Sequence, residues 1–163
     1  MLPSGSEATI AGAPYDDDVS YSFDITAEPI PDEEPEAWAE IERLRAHEDG
    51  LERNYGDPPG DHFLALHQAL TARYPCITTP EGEDSPWADG PLIHNFGAKH
   101  TVLAISFSRV ADALPFIITT ATELGFTLFD PQDEKIYRPA SWRPSSPPAE
   151  PAPAPTRPWW KIW

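Results

Sequence analysis

The fold of this chain is decided by the stretch Ser20–Thr26, SYSFDIT, in which polar and apolar side chains alternate. Tyr21, Phe23 and Ile25 recur at every second position, which is the period of a β-strand with one buried face. Prolines follow shortly afterwards and end the strand. The sequence therefore predicts a sheet to which this strand contributes one apolar face.

Two helices are predicted next, because apolar side chains then recur at helical spacing. The first helix begins after an acidic, proline-containing entry at 32–35 and ends at Gly50. The second begins with Asp61 as its N-cap and ends before Pro75. The acidic residues near the first helix start favour helix formation, since they lie at the positive end of the helix dipole.

The second half of the chain predicts further strands. Residues 92–96 and 100–107 form a β-hairpin in this interpretation, because side chains in the second run alternate between apolar and small or polar. Two short strands, 126–129 and 135–137, are expected around an Asp-Pro turn.

A third helix is predicted between these two pairs of strands. It covers roughly residues 109–124, and it is expected to begin near Asp112 so that Pro115 lies in its first turn. The resulting order is β-α-α-β-β-α-β-β. We expect an α+β fold with a single mixed or antiparallel sheet and about three helices on one face.

The composition divides the chain into three regions. Residues 1–18 are small, polar and acidic and predict a loose lead-in, whereas residues 19–139 form the globular domain. Residues 140–163 are rich in proline and predict a disordered, polyproline-type linker, which ends in the aromatic motif PWWKIW.

The formal charge of −16 is concentrated in the N-terminal third of the chain. Residues 1–62 carry 17 Asp and Glu against three Arg, a net charge of −14, and they include Asp16, Asp17 and Asp18. Such a surface repels nucleic acid and anionic membranes, and it attracts a basic protein partner. Acidic surfaces also confer solubility without any partner, so charge alone leaves both interpretations open.

Cysteine content and hydropathy indicate a cytoplasmic location. Cys76 is the only cysteine, so no disulfide can form within the chain. The first residues lack the basic and apolar pattern of a signal peptide, and no stretch approaches the roughly 20 apolar residues of a membrane span.

No sequence motif singles out a reaction. There is no phosphate-binding glycine loop and no Gly-x-Ser-x-Gly motif, and His62 and His67 are five residues apart, so they do not share a helix face. Cys76, His94 and His100 form a metal site or a Cys–His pair only if the fold brings them together, whereas Cys76 alone is typical of a buried structural thiol. We therefore expect no cofactor, no metal and no enzymatic activity.

Two aromatic features indicate a partner surface instead. Trp87 lies in an acidic loop with Asp84 and Asp89, and Trp is enriched among the residues that dominate interface energies. In the alternative interpretation, Trp87 folds back and closes the core. The second feature is the aromatic end of the chain, formed by Trp159, Trp160 and Trp163. These side chains have no local core, so we expect them to dock on their own domain or on another protein.

Six segments carry a resemblance to a known group of proteins: 74–77 (YPCI), 84–92 (DSPWADGPL), 114–117 (LPFI), 124–132 (LGFTLFDPQ), 137–139 (YRP) and 158–163 (PWWKIW). Together they resemble small bacterial proteins, some of which look like the immunity partners of interbacterial toxins. The resemblance covers roughly residues 20–139 and the tail. It implies an α+β domain that neutralises a toxin, and it brings no catalytic residues.

These observations predict an immunity-type protein that binds and occludes a cognate, basic toxin. The predicted contacts are the acidic N-terminal third and the loop of Asp84, Trp87 and Asp89, so Trp87→Ala or charge reversal at the two aspartates should abolish inhibition. The alternative is an adaptor that recruits an effector or secretion component through its aromatic tail. Deleting residues 140–163 separates the two, and the oligomeric state stays open.

Overall fold

The computed structural model of the chain describes residues 20–50 and 59–144. These residues form four strands and three helices: β1 Ser20–Thr26, α1 Glu34–Asp49, α2 Asp61–Arg73, β2 His100–Ser106, α3 Val110–Glu123, β3 Thr127–Asp130 and β4 Lys135–Tyr137. Short 3-10 turns lie at Pro80–Gly82, Leu92–Asn95 and Phe107–Arg109.

The four strands form one antiparallel sheet in the order β2-β1-β3-β4. Strand β1 pairs with β2 along its whole length, from Ser20 opposite Ser106 to Thr26 opposite His100. The predicted α+β class with a single sheet is confirmed. Strand β1 is central, so both of its edges are paired, and all of its residues from Phe23 to Thr26 are buried, including Asp24.

The main core lies on one face of the sheet. Tyr21, Phe23 and Ile25 of β1 point to this face and pack under α2 and α3. The other fully buried members include Phe63, Leu66, Leu70, Leu103, Ile105, Ala113, Ile117, Ala121 and Leu128. Burial of this apolar surface is the dominant favourable contribution to folding.

Helix α1 packs on the opposite face, so the prediction of three helices on one face is wrong. Ala37, Ile41 and Leu44 form a second cluster with Phe129 of β3. Phe129 lies opposite Asp24 in the sheet register, and successive strand residues point to opposite faces. The period of a helix shows which of its sides is apolar, but the face of the sheet that it covers depends on the path of the chain.

The predicted hairpin is wrong in its first strand. Leu92–Asn95 is a 3-10 turn, and its buried member Leu92 packs into the main core. Only an isolated bridge joins Phe96 to Thr101, and β2 pairs with β1 instead. A short apolar run that is buried cannot be assigned to a strand by periodicity alone. The order of described elements is therefore β-α-α-β-α-β-β.

Two helix starts also differ from the prediction. Asp61 is the first residue of α2, and Gly60 occupies the N-cap position without a side-chain hydrogen bond. Helix α3 begins at Val110 rather than Asp112, so Pro115 lies inside the helix instead of in its first turn. A proline there removes one backbone hydrogen bond, and the strongly apolar buried side of α3 offsets that loss.

Candidate functional site

Trp87 is part of the core, so the prediction of an exposed interface tryptophan is wrong. Its side chain is only 2% exposed, and its Nε1 donates a hydrogen bond to the Tyr74 carbonyl oxygen at 2.8 Å. It also forms a β-bridge with Ile105, beside which the Ala88 N–H donates to the Ala104 carbonyl at 2.9 Å. The alternative interpretation, in which Trp87 closes the core, describes the structure.

The two aspartates of this loop are exposed, and each has a neighbour within the fold. The Asp89 carboxylate accepts both of its hydrogen bonds, at 3.0 Å, from the Asn95 side-chain amide. The Asp84 main-chain oxygen accepts a hydrogen bond from Arg109 at 2.7 Å. The other predicted contact residues, Asp16, Asp17, Asp18, Trp159, Trp160 and Trp163, lie outside the described residues.

The structure gathers carboxylates along helix α1. We call the exposed side of α1, together with two recesses beside it, the α1 surface. The first recess, the Trp38 groove, is lined by Glu34, Pro35, Trp38, Glu42, Pro131 and Glu134. The second, the His100 cavity, is lined chiefly by Arg45, Glu48, Asp49, Asp89, Asn95 and His100.

The Trp38 groove is an open recess of about 510 Å³ with an aromatic floor and acidic walls. Glu34, Trp38 and Glu42 follow one another at intervals of four residues, so they lie on one face of α1. Trp38 is half-buried, and the rings of Pro35 and Pro131 extend the apolar lining. No Lys or Arg is among the described residues that line it.

Glu134 reaches the groove from the β3–β4 turn with an unusual backbone. Its φ of 53° lies in the left-handed region, which costs a residue with a Cβ about 1–2 kcal/mol. Turns that need this conformation ordinarily use Gly or Asn. A strained backbone at a surface carboxylate is an independent reason to consider a functional role for this recess.

Ion pairs organise the charges along α1. Arg43 pairs with Glu40, and Arg45 Nη1 lies 2.9 Å from Glu42 Oε1. The hydrogen bond from Arg43 lowers the pKa of Glu40 below its usual value, so this carboxylate stays ionised at neutral pH. Among the described residues that line the two recesses there are six carboxylates and one guanidinium, that of Arg45.

A buried hydrogen-bonded group forms the floor of the His100 cavity. Asp24, 1% exposed, has its Oδ1 2.7 Å from His100 Nε2, and its Oδ2 accepts a hydrogen bond from Arg45 Nη2 at 2.6 Å. The hydrogen bond to Asp24 raises the pKa of Arg45 above its usual value. The three side chains join β1, β2 and α1. No local sequence pattern indicates this group, because the β1–β2 register and the position of α1 are both tertiary features.

The rest of the His100 cavity presents carboxylates around this group. Glu48 is buried, and its Oε1 accepts the Lys99 backbone N–H at 3.0 Å. A Cβ at Gly97 would lie 2.6 Å from both Glu48 Oε2 and the His100 backbone oxygen, so a glycine is required for this close approach. The described residues that line the cavity, of about 440 Å³, carry no hydroxyl or thiol that an Asp–His pair could activate as a nucleophile. Its charged lining among the described residues consists of three carboxylates and the Arg45 guanidinium.

Cys76 is half-buried and makes local hydrogen bonds. Its Sγ accepts the Leu92 N–H at 3.2 Å and lies 3.2 Å from the Thr78 hydroxyl oxygen. Burial raises the pKa of this thiol, but the hydrogen bonds from Thr78 and Leu92 outweigh that effect and hold the pKa below its usual value. Within residues 20–50 and 59–144, no group of three or more His, Cys, Asp and Glu could hold a metal ion.

Among the described helices, none combines the length and the apolar character that a segment crossing a bilayer requires. Neither a protein-family model, nor a curated protein, nor a solved structure matches this chain.

Proposed function

We propose that this chain is an immunity-type protein that captures a cognate basic toxin on the α1 surface and occludes the toxin's active site. The observation that carries the proposal is the Trp38 groove, where a half-buried tryptophan lies among three carboxylates, one of which, Glu42, pairs with Arg45. A tryptophan beside carboxylates is the chemistry that the sequence predicted for the Trp87 loop, and the structure provides it on α1.

The two parts of this surface have different roles in capture. The excess of carboxylates steers a basic partner into contact and raises the association rate. The Trp38 ring and the flanking proline rings offer an apolar anchor that leaves water on binding, which slows dissociation.

The dimensions of α1 suit occlusion. A helix of 16 residues is about 24 Å long, and one partner of a standard protein complex contributes about 800 Å². A partner lying along the helix would reach both recesses at once, and its catalytic cleft would be covered if the basic residues that line that cleft make the contact.

The test uses the protein encoded by the reading frame next to this gene, produced in a bacterial host whose growth it arrests. Native chain should restore growth. Glu34→Lys combined with Glu134→Lys should raise the dissociation constant about tenfold or more and prevent rescue. Both side chains are exposed, so the variant should fold.

A matched control separates the groove from net charge. Glu36→Lys combined with Glu123→Lys changes the net charge equally at exposed positions outside both recesses, and it should keep most of the affinity. Full rescue by the groove variant, or equal loss in both variants, would contradict the proposal. Serine at Trp159, Trp160 and Trp163 should spare neutralisation, whereas its loss would favour the adaptor alternative.

A further inference from the structure

We propose that the segment Arg157–Lys161 of this chain docks in the Trp38 groove. The groove presents an acid, a tryptophan and an acid in a row, and the segment presents a base, a tryptophan and a base in a row. The inference does not rest on the proposed function, because its occupant is part of the chain and no toxin is needed to test it. A toxin that binds the same groove would have to displace this segment.

The spacing on the groove side is set by helix α1. Glu34 and Glu42 are eight residues apart, which at 1.5 Å per residue is about 12 Å along the axis. Trp38 lies midway between them on the same face of the helix. The groove is therefore a row of two carboxylates about 12 Å apart with an indole ring at its centre, and the second carboxylate, Glu42, also pairs with Arg45 at 2.9 Å.

The spacing of the tail segment matches this row. In an extended chain alternate side chains share one side, so Arg157, Trp159 and Lys161 would line up together. Four residues at about 3.3 Å each place the two cations about 13 Å apart, with Trp159 midway. The charge centres of the two rows then agree to within about 1 Å along their length.

The chemistry of the contacts is complementary as well. An indole against the Trp38 and Pro35 rings buries apolar area from both sides, and an Arg or Lys beside an indole gains a cation–π interaction. The third carboxylate of the groove, Glu134, lies across from α1 and adds negative charge. Residues 140–163 carry three bases and one acid, a net charge of +2.

The tail leaves the described structure near the start of α1. The Arg138 guanidinium donates hydrogen bonds to the Pro31 and Asp32 carbonyls at 2.7 and 3.3 Å, and the Trp142 ring stacks 4.6 Å from it. Thirteen residues lead from Pro144 to Arg157, and in a polyproline II conformation they would span about 40 Å, which is ample for a return to the groove. A tether of this length gives an effective concentration near the millimolar range.

The experiment measures binding of a synthetic peptide of residues 156–163, TRPWWKIW, by calorimetry. The first protein is the full chain with Arg157→Ser, Trp159→Ser and Lys161→Ser, whose groove should be vacant. The second is the native chain. The peptide should bind the substituted chain and bind the native chain at least about fivefold more weakly, because the native tail competes for the groove.

Two neighbouring glutamates provide the matched control. Glu34 lines the groove and Glu36 does not, although both are exposed and both lie in the first turn of α1. In the substituted chain Glu34→Gln should weaken peptide binding about threefold or more, and Glu36→Gln should leave it unchanged. A peptide of the same composition with Arg and Lys adjacent should also bind more weakly, because the spacing of its charges no longer matches that of Glu34 and Glu42.

Three results would overturn the proposal. The peptide could fail to bind the substituted chain, or it could bind the substituted and native chains equally well. The third result is that Glu34→Gln and Glu36→Gln change peptide binding equally. Sedimentation of the native chain should give a monomer. A dimer that dissociates when the three tail residues are replaced by serine would place the tail on a second copy and would also overturn docking within one chain.

Discussion

At the scale of single residues, Trp38 and Trp87 occupy opposite settings although both have acidic neighbours in the sequence. Trp87 is 2% exposed and its Nε1 has a backbone partner, whereas Trp38 is half-buried and faces a recess. Local composition cannot separate the two cases. The difference arises from β2, whose outer edge the Trp87 segment covers, and that contact joins residues distant in the sequence.

Trp87→Ala should therefore act on stability rather than on recognition. Removing a buried indole leaves a cavity, and the free energy of unfolding should fall by about 3–5 kcal/mol. Trp87→Phe should cost less, because it retains most of the apolar volume but leaves the Tyr74 carbonyl without its donor. Urea denaturation monitored by circular dichroism measures both. A loss below about 1 kcal/mol for the alanine variant would place Trp87 outside the core.

Asp24 is the second residue with a large expected effect. Asp24→Asn removes the buried charge that faces His100 and Arg45, and it should lower the free energy of unfolding by about 3 kcal/mol. Ser22→Ala, two residues away on the same face of β1, should cost less than about 1 kcal/mol, since its hydrogen bond to Gln132 is long at 3.4 Å. Similar losses of unfolding free energy in the two variants would show that the Asp24 ion pair and hydrogen bonds contribute no more to stability than the Ser22 hydrogen bond.

At the scale of elements, the β3–β4 turn keeps a strained residue beside the Trp38 groove. Glu134→Gly should raise the free energy of unfolding by up to about 1 kcal/mol, because glycine adopts a positive φ without the Cβ clash. Asp133→Gly in the same turn should lower it, since Asp133 is not among the residues with positive φ. If Glu134→Gly destabilises the protein instead, contacts of the Glu134 side chain outweigh the backbone strain.

Sequence patterns predicted the elements better than they predicted their arrangement. The alternation in Ser20–Thr26 and the helical period of α1 are local, so β1, the helices and the α+β class followed from them. The apolar run at 92–96 is too short for its periodicity to distinguish a turn from a strand. The face covered by α1 depends on where Phe129 falls in the sheet register, and this is fixed by pairing across the chain.

The candidate site was predictable only in its charge. The acidic character of α1 is visible in its composition, and so is Trp38 as a residue at helical spacing. The groove itself needs Glu134 and Pro131 of the β3–β4 turn to lie beside the first turns of α1. That proximity joins segments nearly a hundred residues apart, and no local pattern reports it.

At the scale of the whole molecule, a formal charge of −16 means that folding brings like charges together. Raising the salt concentration from about 0.01 to 0.15 M shortens the screening length from about 30 to 8 Å, which weakens this repulsion. The midpoint of thermal unfolding should therefore rise by about 3 °C or more, followed by circular dichroism. A fall in the midpoint would show that attractive pairs such as Arg45–Asp24 contribute more than the repulsion.

Helix α1 is anchored differently from α2 and α3, which share the large core on the other face of the sheet. Its own cluster is small, with Ala37, Ile41, Leu44 and Phe129 buried and Ile30, Trp38 and Ile136 packed against them, and the Arg45 guanidinium makes an ion pair with Asp24 of β1. We therefore expect α1 to open more often than α2 and α3, and its amide protons to exchange with solvent sooner. Any molecule that binds across α1 while this helix is packed on the sheet would slow amide exchange along α1. The protected amides of α3 would be nearly unaffected.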